Sequence, residues 1–324
     1  MKRDFDKGKY LDRVLESYKM KHISDLMDKF LKKRDEVKNA LEKKFYDKKT
    51  SRAINSGSYA KHTAINKKFD IDICQPFKYN SFDTLMEMSD AIFDYFNDEY
   101  EDKDLVKSKT RKQRVSTGLT FLIEDDEIQM DIVPGRELAK EDYANTNRLK
   151  LHVRPKGLSP ATSTQTNIQK HVDLIKGKCD ERTTIRLLKV WKINKNKDCL
   201  KSFFLELITI RAYEMSSEMP ANLWDKLKIT MEFIRDNVKT IRLEDPANSN
   251  NIVSDTITNL EKDEIAIDMK TMIDNINADG ENLKFYFPLN DEFDPGEDWA
   301  DRKKAAALEI ARAGVVSKPW CKSP

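Results

Sequence analysis

Along residues 9–48 the apolar positions recur every three or four: Leu11, Val14, Leu15 and Tyr18, then Ile23, Leu26, Met27 and Phe30, then Val37, Leu41 and Phe45. Most of what lies between them is Lys, Asp or Glu. That spacing draws one apolar stripe down a helix and predicts one or two long helices, each with a single buried face. So many lysines could suggest a nucleic-acid surface, but the interleaved acids read as a solvated face.

From Ile54 to about Val133 the period falls to two. Phe69-Asp70-Ile71-Asp72-Ile73 alternates apolar and polar, as a strand does. A helix is expected over roughly Ser81–Asn97. Val115–Ile123 and Glu127–Val133 read as strands joined by the acidic turn Glu124-Asp125-Asp126, with Pro134-Gly135 ending the second. The Ser-, Thr- and Asn-rich run Gly157–Asn167 interrupts the pattern. It is the expected boundary between a sheet-bearing lobe, residues 1–165, and a helical lobe, residues 166–324. Helices are expected over Asn167–Ile175, Glu181–Ile193, Lys201–Met215, Leu223–Val238 and roughly Ser254–Ala278, with a break at Asp245-Pro246. The last 40 residues hold FYFPL, DPGEDW and an alanine-rich helix ending at Gly314. The expectation is an α+β fold with a mixed sheet, a helical lobe, and a long N-terminal helix bridging the two.

Composition narrows the function classes. Fifty-eight Lys+Arg against 56 Asp+Glu leave a net charge of +2, so no chain-wide basic footprint argues for non-specific nucleic-acid binding. Nine glycines in 324 residues exclude a glycine-rich repeat. The basic start MKRDFDKGKYLDRV has no apolar run behind it, and nothing approaches the ~20 apolar residues of a membrane span. The expected compartment is the cytoplasm. Cys74, Cys179, Cys199 and Cys321 lie far apart, as do His22, His62, His152 and His171, so a zinc site is not expected and reduced thiols are.

The chemistry concentrates in one stretch. Asp70 and Asp72, two apart on a strand, leave the same face. Like charges side by side repel, a cost that an exposed strand would avoid and a metal would reverse. Asp131 stands mid-strand in Ile128-Gln129-Met130-Asp131-Ile132-Val133. Beside the first pair it would complete a cluster of hard oxygen ligands suited to Mg²⁺ and substrate phosphates. Ser56-Gly57-Ser58 closes the apolar start Ala53-Ile54, and a glycine there lets backbone approach a phosphate.

Gly57-Ser58, eleven residues, Asp70-x-Asp72 and a later strand aspartate resemble the signature of polymerase-β-type nucleotidyltransferases. Arg186-Leu187-Leu188-Lys189-Val190-Trp191, Lys201–Leu207 and Leu243–Asn251 resemble helices and an Asp-Pro-Ala segment of 2′-5′-oligoadenylate synthases, with Ser249 in place of a second proline. Together with residues 57–65 the match is closest to the bacterial cGAS/DncV-like nucleotidyltransferases of anti-phage CBASS systems, over roughly residues 50–260. The resemblance implies a metal-dependent nucleotidyltransferase that makes a cyclic di- or trinucleotide messenger from NTPs. It implies Asp70, Asp72 and Asp131 as ligands of two Mg²⁺ ions, with Mn²⁺ as an alternative, and Asp131 as an activator of the attacking hydroxyl. Ser56, Gly57 and Ser58 would touch donor phosphates, Lys189 and Ser202 the triphosphate. Phe203 would stack on a base and Asp245 would contact a base or ribose. Each has a structural alternative: Lys189 as one lysine among many, Phe203 as core, Asp245-Pro246 as a helix stop, and the basic run Lys107–Arg114 as a solvated strand edge rather than a cleft wall. Implied partners are the NTP substrates, an effector that binds the cyclic product, and a regulatory or C-terminus-modifying protein; a nucleic-acid activator is not expected. The rival functions are a template-free RNA or tRNA 3′-end nucleotidyltransferase and a non-catalytic nucleotide-binding protein of the same fold.

Overall fold

The computed structural model describes residues 5–296; the expected alanine-rich helix before Gly314 lies outside them. The N-terminal stripe forms two helices, α1 (Lys7–Ser17) and α2 (Ser24–Lys44), separated by a short 3₁₀ turn at Met20–Ile23. Asn66 closes the break: its amide donates to the carbonyls of Ser17 and Lys19 at 3.0 and 3.2 Å, satisfying groups that a helix end leaves open. The break directs the two helices into different cores. Tyr10, Leu11, Val14 and Tyr18 of α1 join a helical core, whereas Phe30, Val37 and Leu41 of α2 join the core under the sheet.

The sheet is built from β1 (Ile54–Ser56), β2 (Ile71–Phe77), β3 (Arg111–Lys112), β4 (Thr117–Ile123), β5 (Asp126–Glu137), β6 (Leu149–Val153) and β7 (Thr162–Thr166). Interspersed are α3 (Gly57–Ala60), α4 (Leu85–Asp94) and α5 (Tyr143–Thr146). Strand order is β1-β2-β5-β4-β3, with β6 and β7 continuing from the far end of β5. Among the described residues of this sheet only β2 and β5 run parallel; the other pairs are antiparallel. Alternation sends Ile71, Ile73 and Phe77 into the core with α2 and α4, while the even-numbered residues of β2 face the other way.

The helical part comprises α6 (Ile168–Ile175), α7 (Cys179–Asn194), α8 (Ser202–Met215), α9 (Leu223–Asn237), α10 (Asn259–Ala278) and α11 (Leu283–Tyr286). Their starts carry side-chain caps where the sequence offers them: Asn167 for α6, Asn222 for α9, and a Thr258–Glu261 capping box for α10. Trp191, Phe204, Leu227 and Met269 meet in their shared core.

Several expectations change. Pro134-Gly135 does not end β5, which continues to Glu137. The ladder to β4 stops at Ile132 and that to β6 begins at Arg136, so Pro134 lies where only β2 flanks the strand and its missing N–H costs no ladder bond on the open side. The Ser/Thr run is partly strand: Thr162–Thr166 pairs with β6, its polar side chains half exposed at a sheet edge. Asp245-Pro246 is the turn of a small hairpin, β8 (Glu244–Asp245) with β9 (Asn248–Ile252). Cys74 and Cys199 are free thiols, but Cys179 is disulfide-bonded, against the expectation of reduced cysteines throughout.

Ile73, fully buried behind Asp72, ties the aspartate strand to the core under the sheet. Ile73→Ala should cost about 2–5 kcal/mol in urea unfolding. A loss under ~1 kcal/mol would show that this core does not anchor β2.

Candidate active site

The parallel register of β2 and β5 sets Asp72 directly beside Asp131, and Asp70 precedes β2 on the same face. One carboxylate oxygen from each of the three lies within 4.8 Å of the others. The expected cluster is therefore a geometric fact. Burial raises the pKa of Asp72 to about 7, with Asp70 and Asp131 adding repulsion. Burial and Asp70 raise Asp131 to about 6, against the pull of Arg111 and a hydrogen bond from Gln113. Burial also pushes Asp70 up, opposed by Lys189 and Arg111. The three titrate as one coupled unit. Hard oxygen donors, crowded and half-buried at mutual cost, fit a divalent cation.

Gly57 explains the approach to this cluster. Its φ is +65°, and a Cβ there would stand 1.6 Å from Oδ2 of Asp72. Only glycine lets the β1–α3 turn pass over the carboxylate. Ser56 pairs with Asp72 across the ladder and is buried, whereas Gly57 and Ser58 line the cleft above.

That cleft, about 360 Å³, has the turn, Lys61, Phe69, Asp70 and Asp72 on one side. On the other side are Lys189 and Lys192 of α7 and Ser202, Phe203 and Glu206 of α8. Candidates drawn from both halves of the sequence thus meet across one cavity. Lys189 is buried, its ammonium donating to the carbonyl and hydroxyl of Thr63 at 2.9 and 3.1 Å, with Glu206 at 3.8 Å. Burial lowers its pKa to about 8 despite Glu206. Phe203 is half-buried, its ring 4.9 Å from that of His171, with the Lys61 ammonium 5.1 Å above it. Asp245 does not reach the cleft. It accepts from Nε2 of His171 at 2.7 Å, from the amide of Ala247 and from Asn251. These bonds outweigh burial and hold its carboxyl below the usual range. Asp245 therefore supports His171, which packs on Phe203.

Three groups are not marked by any sequence pattern. Lys61 and Glu206 form an ion pair at 2.5 Å across the cleft. Both lie inside the stretches that carry the resemblance, but nothing in their spacing singles them out. Gln113 donates to Oδ1 of Asp131 at 2.9 Å. The basic run containing it does hold an exposed edge strand, Arg111–Lys112, yet it also reaches the aspartates.

Residues 12–153 match the Second Messenger Oligonucleotide or Dinucleotide Synthetase domain. The CBASS oligonucleotide cyclase CdnC of Escherichia coli strain KTE188 is 28% identical over 205 residues, 57% of this chain and 59% of that protein. The match thus spans under two thirds of the relative's length. The structure is similar to CdnC of E. coli MS115-1 with ATP, TM-score 0.69 at 20% identity, covering 88% of this chain and 98% of that one. The same protein in complex with HORMA-deltaN gives 0.61, also at 20% identity, over 81% and 90%. The CD-NTase CdnG of Bradyrhizobium diazoefficiens with GTP gives 0.65 at 12% identity, over 93% and 98%.

Because Asp72 binds its proton more tightly folded than unfolded, this group's stabilisation is present below pH 3.8 and is lost as the pH rises through about 7. Metal-free protein should accordingly melt lower at pH 8 than at pH 5.5, and Mg²⁺ should recover the difference. Asp72→Asn should raise the metal-free Tm at pH 8 by about 1–2 °C, the shift that ~1 kcal/mol produces in a chain of 324 residues. A lowered Tm would mean that the carboxylates are not a buried electrostatic cost.

Proposed function

We propose that the chain is a cGAS/DncV-like nucleotidyltransferase, a reading that the matched domain and the fold support, and that it joins ribonucleoside triphosphates into a cyclic oligonucleotide with release of pyrophosphate. The observation that carries the reading is the in-register Asp72–Asp131 pair with Asp70, set below a cleft whose far wall offers Lys189, Ser202 and Phe203. A 3′-end polymerase would share the carboxylates but need a track for RNA.

Asp70, Asp72 and Asp131 would hold one or two divalent ions, Mg²⁺ or Mn²⁺. Such ions supply charge neutralisation at the triphosphate and a lowered pKa for the attacking hydroxyl. The protein's own part is mostly placement. The Gly57-Ser58 turn brings backbone within reach of the donor phosphates, with Ser56 supporting it from below. Lys189 and Ser202 would face the triphosphate across the cleft, with Lys61 beside the turn. Phe203 offers a ring for base stacking, worth ~1–3 kcal/mol, and Asp245 fixes it through His171. Ring closure needs the same machinery twice, the linear product turning so that its own hydroxyl meets the α-phosphate.

We place the lobe boundary near residue 165, where β7 gives way to α6, so that the cleft is walled by one lobe on each side. The HORMA-deltaN complex of CdnC supports a regulatory protein partner for this chain. An effector would read the cyclic product. No helix among the described residues is long and apolar enough to cross a membrane; we place the enzyme in the cytoplasm with its NTP substrates.

The enzyme with α-³²P-labelled NTPs and Mg²⁺ should yield a small species whose label survives alkaline phosphatase, since a ring has no terminal phosphate. No added RNA should be required. A phosphatase-sensitive ladder, or incorporation only onto a supplied RNA end, would indicate a 3′-end polymerase. Asp70→Asn, Asp72→Asn and Asp131→Ala should each abolish product. Lys189→Ala should raise KM for NTP about 10- to 150-fold, the equivalent of ~1.5–3 kcal/mol for a charge-assisted bond. An unchanged KM would return Lys189 to a structural role with Thr63.

A further inference from the structure

The third aspartate has a dedicated support that the catalytic reading does not use. Gln113 follows the edge strand β3 and sends its side chain across β4 to Asp131, donating from Nε2 to Oδ1 at 2.9 Å. Its other amide atom, Oε1, accepts from the hydroxyl of Ser116. An ionised carboxylate only accepts, so the nitrogen must face Asp131, and the serine fits the remaining oxygen. The turn itself is clamped. Gln113 donates its backbone N–H to Ser116 at 2.9 Å, and Arg154, largely buried, donates to the carbonyls of Gln113 and Ser116 at 3.0 and 3.1 Å. The same guanidinium reaches the carbonyl of Ser89 at 3.1 Å, fixing the turn to α4.

A second, independent observation concerns the strand that the side chain must cross. Gly118 is paired with Asp131 on one side and with Arg111 on the other. A Cβ at Gly118 would lie 2.7 Å from Nε2 of Gln113 and 2.9 Å from the Arg111 guanidinium carbon. The φ of Gly118 is not positive, so its lack of a side chain answers to space rather than to backbone conformation. The glycine is the gap through which Gln113 reaches the aspartate.

We propose that Gln113, admitted by Gly118 and clamped through Ser116 and Arg154, is a positioning residue that fixes Asp131 so that its second oxygen is presented to a divalent ion held with Asp70 and Asp72. This rests on the metal-dependent reading above. A neutral amide suits the role because it fixes one oxygen without cancelling the charge that the ion requires, as a lysine or arginine in the same place would. Partners of this kind hold a metal ligand's orientation, and their loss typically costs 10- to 100-fold in metal affinity.

The test is Mn²⁺ binding to the full-length protein, followed by electron paramagnetic resonance without nucleotide, for wild type, Asp131→Ala, Gln113→Ala and Gly118→Ala. Gln113→Ala should weaken Mn²⁺ binding about tenfold with an unchanged urea midpoint. Gly118→Ala should do the same, because the atoms its methyl meets are ends of flexible side chains that can swing away, taking the amide off Asp131. In turnover, both should lower kcat and raise the Mg²⁺ concentration at half-maximal rate while KM for NTP holds. Should Gln113→Ala fail to fold, Gly118→Ala alone decides. Mn²⁺ affinity within about twofold of wild type in either folded variant would overturn the proposal, since support of this kind is worth tenfold or more. Wild-type protein that binds Mn²⁺ through Asp131 but yields only a phosphatase-sensitive ladder would sink the cyclase reading and leave this one standing if Gln113→Ala still weakens the ion.

Discussion

Three carboxylates forced onto one sheet face are the constraint around which this chain is arranged. Backbone ladders hold Asp72 and Asp131 side by side whether or not their charges agree, because a parallel register of seven paired residues cannot slip to relieve one repulsion. The apolar residues between the aspartates pin that register from the opposite face. Ile71, Ile73, Met130 and Ile132 are all fully buried, so a one-residue shift would trade core for solvent on two strands together. The repulsion is therefore stored rather than released, and the site is poised to take up positive charge.

The cleft above the aspartates carries its own electrostatic tension, of opposite sign. Lys189 and Lys61 converge on a single carboxylate, Glu206, and burial weakens the hold of Lys189 on its proton. Glu206 also accepts from Thr63, the residue whose carbonyl receives Lys189. One acid thus gathers two lysines and the loop between the Gly-Ser turn and the first aspartate. The loop, already anchored to the end of α1 through Asn66, is thereby tied to α8 as well, and the two cationic ends stay within reach of the cavity.

Much of this was legible in the sequence, for identifiable reasons. Long amphipathic helices declare themselves because a buried stripe repeats over many turns, as in α2, α7 and α9. The aspartates were readable because acids alternating with isoleucines mark a strand with one face in the core and the other crowded with charge. What escaped was polar structure without periodicity. The strand Thr162–Thr166 and the hairpin at Glu244–Ile252 are held by backbone ladders at exposed edges, where side-chain pattern carries no information. Pro134 misled because its effect depends on which neighbour flanks it, a property of topology. Asp245 was found but its place was not: spacing cannot distinguish a residue at the cleft from one a single hydrogen bond behind it. Lys61, Glu206 and Gln113 were hidden by a composition in which 35% of residues are charged.

The two walls together dictate why neither suffices. A triphosphate approaching the cations of α7 and the turn meets attraction at its outer phosphates, but its α-phosphate would have to settle against three acids. Lys189 and Lys61 ease that repulsion only in part, since Glu206 already offsets one of their two charges. The overall charge of +2 offers no background field to help. Charge must be delivered at the carboxylates themselves, in a compact form that hard oxygens from protein and phosphate can share, which is the chemistry of a small divalent cation. On the proposed reading the lysines would grip a phosphate tail, and Asp70, Asp72 and Asp131 would hold the ion that neutralises charge beside it. On the same reading, specificity for reaction over mere binding would follow from this division: the wall that would hold a nucleotide and the floor that would activate it are set by different elements, and only a correctly seated triphosphate would span both.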